Sequence, residues 1–223
     1  MKRISHDTYA AIIGMVYLFL IVNVSLVVAC LPFVVALVTT DPALSWPLLA
    51  VTAPLCAPGI AAAFRAFREY DEAGRTPIRA FVAGLRDTGL RALVLGVTVT
   101  AVVVIALIDV RAVSNSDVGV LLVPMLGVAV VIAVAVGLIA LVALAEVPTA
   151  RWADVLRASA YLSLKRWYFT ALSLFAVGAQ AALFTTAPAI ALGITASAAL
   201  YFAWTNARFT LRPVLDLEDA PAA

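Results

Sequence analysis

Two carboxamides, Asn23 and Gln180, stand inside long apolar runs of this 223-residue chain. An amide in hydrocarbon is costly unless partnered, so each is expected either to bridge two helices or to line a polar cavity. Bridging is the commoner use. Thr98 and Thr100 lie in a third run. Ser173, Thr195 and Ser197 are milder cases, since hydroxyls bond their own backbone. No carboxylate falls mid-run: Asp109 and Glu146 sit at run ends, Asp109 two residues before Arg111, where solvation or pairing is the plain reading. A second group with chemical potential is Pro54, Pro58 and Gly59, well inside one run. The prolines lack amide donors, so this stretch predicts a kink or an unwound segment.

Other reactive constellations are missing. His6 is the single histidine and precedes the first run, so no metal triad or Ser/His/Asp set is available. No phosphate-cradling Gly-x-x-x-x-Gly-Lys-Ser/Thr loop occurs. Cys30 and Cys56, without CxxC or Cys/His spacing, read as small packing residues. Val27–Cys30 resembles a lipoprotein cleavage box, but Leu31, Phe33, Val34 and Val35 continue the apolar run where a lipoprotein turns polar. The expectation is a protein that is not an enzyme and holds no cofactor or metal.

The elements that must position these residues follow from hydropathy. Residues are 65% hydrophobic and 13% charged, with mean hydropathy +1.08, which leaves no polar shell for a soluble domain. Apolar runs cover roughly Tyr9–Thr39, Ser45–Phe64, Arg91–Ile108, Gly119–Val147, Trp167–Thr186 and Pro188–Ala207. A bilayer-crossing helix needs about 20 such residues. With the N-terminus inside, every one of the 15 Lys and Arg residues except Arg111 falls in an inner segment, the bias that marks cytoplasmic loops. The predicted fold is an all-α, polytopic bundle of about six spans with both termini in the cytoplasm. Residues 1–212 form one transmembrane domain and 213–223 a short acidic, disordered tail.

Two inner connections carry amphipathic patterns. Ile78, Phe81, Val82 and Leu85 recur at helical spacing beside Arg79, Arg86 and Asp87; Trp152, Val155, Leu156 and Ser159 do so beside Arg151, Asp154 and Arg157. Both suit helices lying at the cytoplasmic interface. The plainer alternative makes them the inner ends of the third and fifth spans; persistence of apolar spacing among the charges favours interfacial helices. Trp46, Trp167, Tyr168, Tyr201 and Trp204 fall near predicted boundaries as depth anchors. Gly119–Val147, longer than a perpendicular span needs, predicts tilt or a kink at Pro124. The arginines flank spans and are diluted by acids, so no nucleic-acid partner is expected.

Asn23 followed by Leu31-Pro32, then Ala57-Pro58-Gly59-Ile60-Ala61-Ala62-Ala63-Phe64, then Arg79–Arg86, and finally Leu156–Ser159 with Lys165-Arg166-Trp167, resembles the YesL-like family of bacterial membrane proteins. About twenty residues separate the first two passages, a departure from the family pattern. The resemblance implies a small polytopic protein of the bacterial cytoplasmic membrane, associated with carbohydrate ABC-transporter permease or ATPase subunits. On that reading the protein is a non-catalytic accessory, and Arg79, Phe81, Leu85, Arg86, Trp152 and Leu156 are the expected docking contacts. The alternative is an autonomous transporter or channel whose path uses Asn23 and the Pro54–Gly59 segment.

Overall fold

The computed structural model describes residues 6–41, 44–73, 76–187 and 190–218, and all regular structure among them is helical. Chain order gives α1 (His6–Ala29), α2 (Leu31–Thr39), α3 (Trp46–Thr52), a 3₁₀ turn (Ala53–Leu55), α4 (Cys56–Ala73), α5 (Pro77–Val113), α6 (Gly119–Glu146), α7 (Trp152–Lys165), α8 (Trp167–Thr186), a π-helical turn (Ala191–Thr195) and α9 (Ala196–Glu218).

Five stretches are long and apolar enough to cross a membrane: Ile12–Ala29, Trp46–Glu72, Pro77–Val113, Gly119–Glu146 and Trp167–Phe184. The sixth expected span, Pro188–Ala207, is not one helix: its first two residues lie outside the described set, and the π turn separates the rest from regular helix. Helix α9 has the length but carries Arg208, Arg212, Asp216 and Glu218. The α9 backbone stays helical through Glu218, into the stretch expected as tail; residues 219–223 lie outside the described set.

Proline decides where the first two runs break. Pro32, in the first turn of α2, has no N–H to continue the ladder of α1, and Cys30 marks the junction. Pro54 falls in the 3₁₀ turn. Pro58 sits in the first turn of α4, where backbone donors lack helical partners in any case. The departure from α geometry is therefore at Ala53–Leu55, ahead of Pro58 and Gly59. Helix α6 runs through Pro124 without interruption.

The first inner connection is not an interfacial helix. Helix α5 is one 37-residue element, about 55 Å long, which is enough to cross a hydrocarbon core of about 30 Å and extend well beyond it. Its projecting end packs antiparallel on α4: Ala80, Phe81, Gly84, Thr88 and Gly89 are buried there. The second connection does form its own helix, α7, ended at Arg166 where the backbone leaves helical geometry.

Helix α4 occupies the centre, against α1, α5, α6 and α9. Ala61, Ala62, Ala63, Phe64, Ala66 and Phe67 are fully buried, and small residues let neighbouring backbones close in. At Gly96 of α5 a Cβ would stand 2.6 Å from the Ala57 Cβ and 3.1 Å from the Pro54 carbonyl oxygen. At Gly127 of α6 it would meet nothing within 4 Å. Gly96→Ala should therefore destabilise by about 1–3 kcal/mol through overpacking, while Gly127→Ala should be neutral or mildly stabilising through helix propensity. Thermal unfolding of the two variants in one detergent checks this; equal midpoints would contradict the packing.

Candidate functional site

Asn23 and Gln180, assigned by sequence to different spans, converge on the same feature. Asn23 is 2% exposed and reaches from α1 to the π turn. Its Nδ2 donates to the carbonyls of Gly193 and Ile194, both at 3.0 Å, and its Oδ1 accepts the Ser197 N–H at 2.8 Å. In an uninterrupted α-helix the Ser197 N–H bonds to Gly193 O. The amide of Asn23 stands between those two groups and satisfies both, a side chain inserted into the ladder. Gln180 treats the other end of the turn likewise, its Nε2 donating to Ala191 O at 2.8 Å while its Oε1 accepts from Thr195 Oγ1 at 2.8 Å. The backbone polarity that the π turn releases is thus absorbed by two side chains from other helices. One group is left over: Ser197 Oγ is buried without a hydrogen-bond partner.

Beside this turn the two thiols meet. Cys30 at the α1–α2 junction and Cys56 at the start of α4, 26 positions apart in the sequence, come together here as free thiols. They form part of the wall of a cavity of about 290 Å³ that also touches Leu26, Phe33, Gln180 and Leu200.

A second cluster lies at the opposite end of the bundle. The Glu146 side chain is 5% exposed; it accepts from Trp204 Nε1 at 2.9 Å and faces Arg208 Nε at 3.8 Å. Arg208 also pairs with Glu72, lies 3.6 Å from Asp71, and stacks over the Trp204 ring at 5.3 Å. Arg68 donates to the carbonyls of Ala145, at 2.8 Å, and Glu146, covering the negative end of α6. Arg65 joins Glu69 (2.8 Å) and Asp87 (2.6 Å), tying α4 to α5. Arg91 donates to Pro148 O and Ala150 O and lies over Trp152 at 5.1 Å. Arg166 donates to Phe209 O at 2.6 Å, tying the α7–α8 junction to α9. Sequence reading took these arginines as topology markers. It missed their second task, and it missed Glu146, whose spacing to Trp204 and Arg208 carries no local signal.

The expected docking residues separate into two sets. Arg79 and Arg86 are exposed, without an ionic partner among the described residues, and Leu85 and Leu156 are exposed too. Phe81, however, is 4% exposed and belongs to the core against α4, so it is no surface contact. Trp152 is half-buried under Arg91. Two expected depth anchors also change role. Trp204 is buried, with its N–H given to Glu146, and Tyr201 is half-buried, its ring against Phe67 at 5.3 Å. Trp167, Tyr168 and Trp46 are exposed, as anchors must be.

Fold and clusters together define the class, a membrane-embedded α-helical protein. No family model matches the chain, and no curated protein or solved structure matches it.

The amide clamp has a measurable weight. Asn23→Leu strands two carbonyls and one N–H, a loss of about 1–3 kcal/mol for each buried group left unpaired. Ser197→Ala removes a hydroxyl that bonds nothing and should stay within about 0.5 kcal/mol of the parent. Chemical unfolding in mixed micelles checks both; an Asn23→Leu protein as stable as Ser197→Ala would contradict the clamp.

Proposed function

We propose that the protein is a non-catalytic accessory of the bacterial cytoplasmic membrane, with both termini inside, that docks a carbohydrate ABC importer through its cytoplasmic end. The carrying observation is how the arginines are divided. Arg65, Arg68, Arg91, Arg166 and Arg208 are consumed by internal bonds. Arg79, Arg86, Arg151 and Arg157 stay exposed without an ionic partner among the described residues, next to exposed Ile78, Val82, Leu85 and Leu156. Unspent guanidinium groups beside apolar side chains suit a protein interface, where arginine is enriched and presents a forked donor to carboxylates. The first two arginines stand one heptad apart on the projecting end of α5, and the other two at the start of α7, which lies at the membrane interface. That the partner is a carbohydrate importer rests on the YesL-like resemblance alone.

The rival reading, autonomous transport, has the 3₁₀ turn and the π turn in its favour, since irregular backbone at membrane depth goes with lined cavities. It needs polar groups free to meet a solute. The polar atoms of Asn23 and of Gln180 are bound to protein, which supports the accessory reading over this one.

Affinity purification from native membranes in mild detergent tests the proposal. Permease or ATPase subunits of an importer should accompany the protein near stoichiometry, and Arg79→Glu with Arg86→Glu, or Leu156→Asp, should reduce that yield severalfold. Association that survives all three changes would move the interface elsewhere. A partnerless protein that conducts solute in liposomes would replace this reading with the rival.

A further inference from the structure

Three departures from α geometry, far apart in the sequence, surround one cavity. The α1–α2 junction at Cys30, the segment just after the 3₁₀ turn at Cys56, and the π turn at Leu192 all contribute to the wall of the 290 Å³ space. Phe33 and Leu37 of α2, Ile60 of α4, Ala181 and Phe184 of α8, and Ala199 of α9 also line it. It lies at the end of the bundle away from the arginine cluster, and Leu26, Cys56, Ile60 and Phe184 in its wall belong to stretches long and apolar enough to cross a membrane. Local breaks of this kind in regular helices are commonly kept for a site.

The chemistry of the wall restricts its occupant. Its polar side chains are Cys30, Cys56 and Gln180. Cys30 is buried, and the amide of Gln180 is held by Ala191 and Thr195. The wall turns no polar surface toward the space, and water needs two to four polar partners, whereas apolar cavities take apolar guests. Most of the wall is half-buried rather than sealed, and Ala181 is exposed at its edge, so entry is sideways from the bilayer. Size excludes a helix from a partner or a second copy. One helical turn, about 10 Å across and 5.4 Å long, sweeps about 400 Å³, more than the 290 Å³ present. A methylene group is about as large as a water molecule, roughly 30 Å³, so the space takes about ten of them in a row.

We infer that this cavity is a binding site for one acyl chain of a membrane phospholipid, seated between α2, α4, α8 and the π turn. The chain enters from the bilayer half remote from the arginine cluster. Its exchange is slower than that of lipid on the outer face of α5, because walls on six elements replace one. The inference is independent of any importer partner.

Photo-crosslinking tests it on the whole protein in vesicles of phosphatidylethanolamine and phosphatidylglycerol, with phosphatidylglycerol bearing a diazirine midway along one acyl chain as the probe. Adducts should concentrate on Phe33, Leu37 and Phe184 relative to Val102 and Ile105, which are exposed on α5. Ala199→Trp, which fills the space, should abolish that enrichment and leave the α5 adducts unchanged. Ala181→Phe, at an exposed edge position, gives the same readout should the tryptophan variant not fold. In delipidated protein, added phosphatidylglycerol should also slow alkylation of Cys56 by N-ethylmaleimide severalfold. Adducts spread evenly over lipid-facing residues, enrichment indifferent to both substitutions, or alkylation unaffected by lipid would each overturn the site.

Discussion

A backbone N–H or C=O in hydrocarbon has no water to fall back on, and this apolar chain interrupts its own helical ladder at Ala191–Thr195. Every nearby feature answers that debt. Asn23 must come from α1 with its amide aligned between Ser197 and Gly193, which fixes α1 beside the π turn and the start of α9. Gln180 must come from α8, and its bond to Thr195 fixes the last hairpin in register. Two apolar helices slide against each other easily when only dispersion holds them, since lipid tails make equally good neighbours. Directional bonds to a broken helix do not slide.

At the other end of the bundle the same constraint is met with charge. Guanidinium groups present several donors in a rigid fork, so one arginine caps a helix end and binds a neighbouring element at once. Arg68 covers the last carbonyls of α6, and Arg91 holds the Pro148–Ala150 connection that leads into α7. Arg208 brings α9 to the acids of α4 and to Glu146. A buried carboxylate such as Glu146 is tolerable because the Trp204 N–H and a guanidinium face it. The bundle is thus locked by amides at one end and arginines at the other, around an alanine-rich α4 whose small side chains allow close approach.

At the amide end the backbone departs from regular helix three times, and the acyl-chain cavity forms where those departures meet. Proline causes two of them, and the third is stabilised by Asn23 and Gln180. The cavity and the amide clamp are two consequences of the same irregular backbone: polar groups turn inward to be satisfied, and the space left beside them is dry.

Hydropathy along the sequence settled the broad helical architecture, because desolvation acts residue by residue and leaves a local record. Five of the six expected spans are helices of sufficient length and apolarity, and the two intramembrane amides stood out as groups in need of partners. Which partners they take was not readable. Asn23 bonds across a separation of 170 residues or more, and no local pattern encodes a contact at that range. For the same reason an amphipathic stripe around Phe81 was ambiguous. Its periodicity announces a buried face without naming the surface that buries it, and tertiary packing chose α4 over the membrane interface. The sorting of arginines into internal braces and exposed groups, and the meeting of Cys30 with Cys56, were likewise decided only when distant helices came together, because hydrogen bonds and cavities belong to pairs of elements and not to single segments of chain.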